Sequence, residues 1–484
     1  MRRWLVVLNI VPGFLFAQEQ FGAAFSNYTP TNSVFLNPSS MLDAKTWLDI
    51  HIVGAGTYAN NNLVSVDNNN LIRIIRTEGE SFDEDEDLVY HQNKNKYHAY
   101  NATFVKVLSG VWSQGDHAAG LFFNVRSFTA ARGVPDYAAR FIENGVPPYT
   151  VQHNIDYNLQ KVRAASVNFG EIQLSYAYTF YKKRRDMLMG GISVKKFLSI
   201  AGGAATIYNM DFNVRSDTLV SIFDLEADGM YTPEAQLYAK GGMGLDIGFT
   251  YQKMMSECSS YYPNSKRNGC RYLPYKYLLG FSIMDIGSVK YAEDNRQYAG
   301  YNIESFDWYR YADVDVDEDN ALQIFADQES DINDGKVRET DRIRLPTYIS
   351  LQGDYNLWAS RLYANAAIVQ GIPVGKTKFG VRRANSLMVG LRYESRFFDV
   401  SLPLSLYEYK RPQVGLAFRF YFLTIGTDKL LHWFGNSNLY GGDIYAHIKV
   451  PIFYHPKCKA NRKSGMNYDP SKIRRRKDNC DAYN

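Results

Sequence analysis

The chain has 484 residues, enough for two or three ordinary domains or for one large β-barrel. A formal net charge of +4 is too small to point to nucleic acid. A mean hydropathy of −0.33, with no long apolar run beyond the N-terminus, argues against membrane-spanning helices. Aromatic residues make up 15% of the chain, with 37 Tyr and 28 Phe. A transmembrane β-barrel combines such strand formers with moderate hydropathy, because alternate strand residues are polar.

At the start, Arg2 and Arg3 precede an apolar run from Trp4 to Phe16, and Ala17 supplies a small residue before Gln18. This is the pattern of a secretory signal peptide over 1–17, so the mature chain is expected to begin at Gln18, outside the cytoplasm. The segment 18–46 follows. In it Asn37-Pro38-Ser39-Ser40 is a turn signal, because Pro fixes φ and Asn and Ser bond back to nearby backbone. The turn is nevertheless flanked by Val34, Phe35, Leu36, Met41 and Leu42, which favour burial.

From there to residue 454 the hydrophobic period is two. Leu245, Ile247 and Phe249 alternate with Asp246, Gly248 and Thr250. Ile444, Ala446, Ile448, Val450 and Ile452 alternate with Tyr445, His447, Lys449 and Pro451. About fourteen segments follow this rule: 47–58, 97–108, 117–126, 165–181, 187–200, 204–215, 245–250, 276–288, 347–355, 362–370, 387–394, 397–406, 414–420 and 444–452. Many approach the ten or so residues that a tilted strand needs to cross a bilayer, and spanning strands must close on themselves to satisfy their backbone. The expected fold is therefore all-β, a transmembrane antiparallel β-barrel of about 14 strands over 47–454.

Short turns and long loops should alternate between the two ends of such a barrel. The connections 59–96 and 127–163 obey this. Further on, Gly202-Gly203 decides the parity. As a hairpin turn it puts the long 291–345 connection on the short-turn side. As a bend inside one strand it puts that connection with the other long loops but makes the count odd. Within 127–163, Val134-Pro135-Asp136 starts a helix through Tyr137 and Phe141 that Gly145 ends, with the barrel mouth as its expected place.

On the later strands Asp246, Asp354, Arg361, Arg392, Glu394, Arg419 and Lys449 fall opposite the apolar positions. Charges of this kind are costly in lipid, so they are expected to face the lumen. Their mixed signs suit a lumen cross-linked by ion pairs or plugged, rather than a wide ion pore. Four cysteines allow three pairings. Cys258–Cys270 and Cys458–Cys480 are the simplest in an oxidising compartment, and the close C-x-x-C pairs of a zinc site are absent.

Motifs for catalysis are missing. The acidic run 83–87 is a solvated loop tip. The stretch from Asp313 to Asp319 fails as a calcium loop, with Glu318 where Gly is needed and Ile324 where Glu is needed. The eight histidines form no metal spacing. No G-x-S-x-G elbow, P-loop or dinucleotide fingerprint occurs. No enzyme activity, cofactor or metal is expected, an outer-membrane enzyme being the least favoured of three readings. The last segment, 455–484, is basic from Lys457 to Lys477. It is expected to form a disulfide-tied periplasmic extension, open to an acidic partner.

Several phrases together resemble an uncharacterised family of Bacteroidota outer-membrane β-barrels, with more distant similarity to FadL-type transporters and PorV-like proteins. They are Val34-Phe-Leu-Asn-Pro-Ser39, Gly170-Glu-Ile-Gln-Leu-Ser-Tyr176, Leu278-Leu-Gly-Phe-Ser-Ile-Met-Asp-Ile-Gly287, Arg392-Tyr-Glu-Ser395 with Ser401-Leu-Pro-Leu404, and Thr424-Ile-Gly-Thr-Asp428. The resemblance implies a barrel in the outer membrane of a Gram-negative bacterium, with 18–46 folded inside as a hatch. Phe35, Leu36, Asn37, Pro38 and Met41 would then lie within the wall. FadL-type proteins pass small hydrophobic molecules sideways through a kinked strand, and Gly202-Gly203 is the matching break here. PorV-like proteins act instead as partners or anchors for secreted or surface proteins. Outer-membrane lipid and a hydrophobic small molecule are the expected partners on the first reading, and periplasmic or secreted proteins on the second. Nucleic acid is expected on neither.

Overall fold

The computed structural model describes residues 20–67, 69–77, 87–91, 96–144, 153–216, 219–265, 272–303, 306–309, 341–358, 360–373, 379–434, 438–456 and 458. The leader 1–17, most of the acidic run, the 313–319 stretch, Gly145, Cys270, Cys480 and nearly all of the basic tail lie outside them.

Fourteen strands form one antiparallel, closed sheet. The first seven are β1 (Leu48–Asn61), β2 (Tyr97–Gln114), β3 (His117–Val134), β4 (Asp156–Lys183), β5 (Asp186–Ser216), β6 (Met243–Met254) and β7 (Tyr275–Lys290). The rest are β8 (Tyr348–Trp358), β9 (Leu362–Gly371), β10 (Ser386–Glu394), β11 (Phe398–Tyr407), β12 (Leu416–Phe420), β13 (Leu423–Thr427) and β14 (Asp443–Ile452). Pairing of β1 with β14, from Leu48 opposite Ile452 to Tyr58 opposite Asp443, closes the ring and leaves no edge.

Sidedness follows from the period of two, inverted relative to a soluble protein. On β6, Asp246, Gly248, Thr250 and Gln252 are buried, while Phe249 points outward and is exposed. Across the wall, Leu174 is 64% exposed while Glu171 is 2% and Arg392 0% exposed. An exterior of Leu, Val, Ile and Phe around an interior of buried charge is stable only where the exterior meets hydrocarbon, which makes this a transmembrane barrel. Exposed Tyr176, Tyr178, Phe180, Tyr355, Trp358, Tyr421 and Phe422 ring the end with the shortest turns.

Two strand expectations change. Gly202-Gly203 does not turn: β5 runs unbroken through both glycines, so 187–200 and 204–215 are one strand. The strand that restores an even count is β13, whose five residues follow β12 after only Tyr421-Phe422. With both corrections the 291–345 connection falls at the same end as the other long loops.

β4 and β5, at 28 and 31 residues, are far longer than a bilayer needs. Their outer halves project beyond the apolar belt, where they pair with each other and β5 pairs on its other side with a further strand, Leu219–Tyr231. The helix Asp136–Asn144 forms after Pro135, but it packs on this projection rather than in the mouth. Its Tyr137 ring lies 4.7 Å from that of Tyr157, and the Tyr137 hydroxyl donates to the carbonyl of Asn158 at 2.6 Å.

Candidate functional site: the plugged lumen

Residues 20–46 lie inside the barrel as two single-turn helices, α1 (Phe21–Ala24) and α2 (Pro30–Ser33), and a 3-10 turn, Pro38–Asp43. None of these turns could stand alone in water. The 3-10 turn starts where local chemistry directs. Asn37 Oδ1 accepts from the Ser39 N–H at 3.0 Å and from Ser39 Oγ at 2.6 Å, and Pro38 supplies a fixed φ at the first position.

The wall provides the remaining partners. Asn37 Nδ2 donates to Gln352 Oε1 on β8 at 2.9 Å and to the Phe249 carbonyl on β6 at 3.1 Å. Ser282 Oγ on β7 donates to the Leu36 carbonyl at 2.6 Å, and the Tyr348 hydroxyl on β8 to the Phe35 carbonyl at 2.6 Å. Thr31 Oγ1 donates to Asp49 on β1 at 2.7 Å, and Ser26 Oγ to Asp399 on β11 at 2.5 Å. A glycine cradle admits the Asn-Pro turn. An added Cβ at Gly191 would meet the Ser39 nitrogen at 2.5 Å, and one at Gly248 would meet Asn37 Oδ1 at 2.1 Å. Gly191 and Gly248 face each other in register on β5 and β6, so the cradle is a feature of the sheet.

Leu36, Asn37, Pro38 and Met41 are buried within the wall. Phe35 is half-buried, edge-on to Phe122 with ring centres 5.5 Å apart. Most of the charges picked out on later strands are drawn into this contact. Lys45 of the plug donates to Glu394 at 2.5 Å; Glu394 also meets Arg392 Nε at 3.1 Å, and Arg392 meets Asp354 at 2.7 Å. Lys449 donates to the Tyr28 carbonyl and meets Asp49 at 3.2 Å. Arg419 holds Asp399 at 2.5 Å, with its guanidinium 4.8 Å from the Tyr28 ring centre. Asp246 meets Lys195 at 2.8 Å. Arg361 differs: it occupies the turn between β8 and β9, half-buried, and lines no strand face.

A second network, missed above, braces the wall beside the plug. Arg126 bonds Glu171 at 2.9 Å and Asp285 at 2.7 Å, and Lys195 reaches Asp285 at 2.7 Å. Its signal was present, since Glu171, Gln173 and Ser175 alternate with Ile172, Leu174 and Tyr176.

At Gly202 the β5 backbone changes neighbours. Residues 186–196 pair with β6 and 203–216 with Leu219–Tyr231. Between them the Thr232 and Gln236 N–H groups donate to the carbonyls of Gly202 and Ile200, both at 2.9–3.0 Å. Gly202 has no space for a side chain, because a Cβ would lie 2.2 Å from the Tyr291 hydroxyl.

Between plug and wall a pocket leaves about 670 Å³ free of atoms, solvent at its mouth included. Ala24, Phe35, Leu36, Phe104, Phe128 and Tyr348 give it an apolar lining, and Asn32, Lys106 and Asn124 add polar groups. The cysteine expectation is overturned in part. Cys258 is a free, buried thiol whose Sγ donates to the Asp186 carbonyl at 3.5 Å, so it does not pair with Cys270.

Solved structures similar in fold include the P. putida toluene transporter TodX, at 11% identity over 90% of this chain and 99% of that one, TM-score 0.38. The Ralstonia pickettii toluene transporter TbuX matches at 10% identity over 91% and 97%, TM-score 0.24. A Pseudomonas aeruginosa FadL homologue matches at 9% over 92% and 100%, TM-score 0.23. Likeness at this level decides nothing about function, and the barrel stands on its own strand pairing. No curated protein matches the sequence. The model of DUF5723, a family of unknown function, matches residues 38–428, from the Asn-Pro turn to the end of β13, and the chain belongs to that family.

Proposed function

We propose that this chain is an outer-membrane channel for small, largely apolar molecules. The observation that carries the reading is the pocket of Phe35, Leu36, Phe128 and Tyr348 formed jointly by plug and wall inside a lipid-facing barrel. Clefts lined by aromatic and aliphatic side chains with a few polar groups are the usual form of small-molecule sites. In this reading 1–17 is the signal peptide, 18–46 the hatch, and the long-loop end faces outward. The change of neighbours at Gly202-Gly203 makes that part of β5 the proposed lateral exit. The test is solvent extraction of the purified protein with mass spectrometry, together with toluene uptake by cells with and without the gene. Retained apolar molecules and reduced uptake on deletion are expected; finding neither rejects the channel.

The projecting halves of β4 and β5 favour a second reading, a partner or anchor for secreted proteins. Strands of 28 and 31 residues build a surface well clear of the membrane that a channel does not need. Deleting the Leu219–Tyr231 strand would then release a bound surface protein while leaving toluene uptake unchanged.

A further inference from the structure

Lys106 is 2% exposed, on β2, at the floor of the pocket. Its Nζ donates to the Thr31 carbonyl at 2.7 Å and to Asn32 Oδ1 at 3.0 Å, and it sits 4.2 Å from the Phe35 ring centre. An ammonium has three donors, so these two acceptors leave one over. Among the described residues no carboxylate pairs with it. The carboxylates within Coulomb range of it, Asp49 and Glu171, are bonded to other cations, Lys449 and Arg126, and Asp246 and Asp285 are taken up by Lys195 and Arg126. A buried cation left without a counter-charge is costly unless something supplies one.

Next to it, Asn32 Nδ2 is a buried donor with no acceptor among the described residues. Its orientation is not arbitrary, since Asn32 Oδ1 is already used by Lys106. Both residues line one pocket, whose walls include the rings of Phe35, Phe104, Phe128 and Tyr348 and the further cations Arg126 and Arg383. Above them, near the outer end of the wall, Arg132 lies in register with Arg163 and within Coulomb range of Arg344 and Arg382, with the carboxylate of Glu408 offsetting part of this charge. A group of guanidinium charges there draws anions toward the mouth.

We infer that the pocket takes an aromatic carboxylate, its ring among the Phe35, Phe104, Phe128 and Tyr348 side chains and its carboxylate on Lys106 Nζ and Asn32 Nδ2. This rests on the channel reading and narrows it from neutral hydrocarbons to small amphipathic anions. One negative charge balances Lys106, and a planar two-oxygen head meets two separated donors. The hydrogen bonds of Lys106 to the plug need not break.

The test is calorimetric titration of the mature protein in detergent with benzoate, benzamide, toluene and inorganic phosphate. Benzoate is expected to bind at least tenfold more tightly than benzamide, a preference that Lys106→Met removes and Lys106→Arg largely keeps. Asn32→Asp, equal in size, also removes it by placing a carboxylate beside Lys106, and heat-shifted gel mobility checks that each variant is folded. Equal binding of benzoate and benzamide, or a preference that survives in both Lys106→Met and Asn32→Asp, overturns the inference. Phosphate competing as well as benzoate reduces the site to one for inorganic anions and also overturns it. Binding of toluene and benzamide without benzoate rejects the carboxylate but keeps the channel, whereas binding of none of the aromatic probes rejects both.

Discussion

Gly248 lies directly against Asn37: a Cβ at this glycine would sit 2.1 Å from Asn37 Oδ1 and 2.8 Å from Pro38 Cδ. The plug turn and the β6 wall therefore fit only if position 248 carries no side chain. Gly248→Val is expected to force the turn away from the wall and to cost about 1–3 kcal/mol, the usual range for overpacking. In planar bilayers the variant should pass more current than the wild-type protein, because its hatch no longer seats. Gly353→Ala is the control, as a Cβ there meets nothing within 4 Å. Unchanged current in Gly248→Val, with the variant folded, would show that the turn is not what closes the lumen.

The Lys45–Glu394 contact is the strongest candidate for the bond that holds the plug at its lower end. Both side chains are fully buried, 2.5 Å apart, with Asn27 Nδ2 donating to the same carboxylate at 2.8 Å. Removing one member of a buried pair leaves the other charge uncompensated, at about 3–5 kcal/mol. Lys45→Met should lower the temperature at which the folded gel band converts to the unfolded one. The Lys45→Met/Glu394→Gln double variant should cost less than the two single changes added together. Strict additivity would mean that the pair does not act as a unit.

The barrel itself was legible in the sequence, because sheets with one lipid face and one lumen face write their sidedness into alternate residues. Asp246 and Lys449 show this, each flanked by apolar neighbours and each buried. Lys106 obeys the same rule between Val105 and Val107, as a lone charge on a strand whose other alternate positions are uncharged. β13 was harder to see, since five residues after a two-residue turn leave little period to detect. Gly202-Gly203 left turn and bend both open, because glycine pairs signal turns and also interrupt strands; the strand runs on, and at Gly202 a Tyr291 ring excludes any larger side chain. The plug contacts were out of reach altogether. Asn37 and Gln352 are 315 positions apart, and nothing local to either names the other.

Cys258 carries a simple chemical expectation. The thiol is buried behind Asp186, and burial raises its pKa, so little reactive thiolate is present in the folded protein. Iodoacetamide should label it slowly in detergent and quickly after denaturation, without any reducing agent. A requirement for reductant before labelling would mean that Cys258 is disulfide-bonded in the cell, contrary to the free thiol seen here.

The proposed exit on β5 depends on Tyr291 filling the space above Gly202. The Tyr291 hydroxyl donates to the Ala201 carbonyl at 3.1 Å, and its ring belongs to the same core cluster as Phe169, Phe197 and Met230. The ring therefore stands at the one stretch of β5 where its neighbour changes from β6 to the Leu219–Tyr231 strand. Tyr291→Ala should open space at this seam, and an apolar solute crossing there should move faster, raising toluene uptake relative to the wild-type protein. Gly202→Ala alone should press on the ring and destabilise the folded barrel, and adding Tyr291→Ala should restore it, since the clash needs both partners. A cysteine pair tying Gly203 to Tyr231, opposite each other in register, should stop uptake when oxidised and permit it when reduced. Uptake indifferent to that cross-link would mean that molecules leave the barrel by another path.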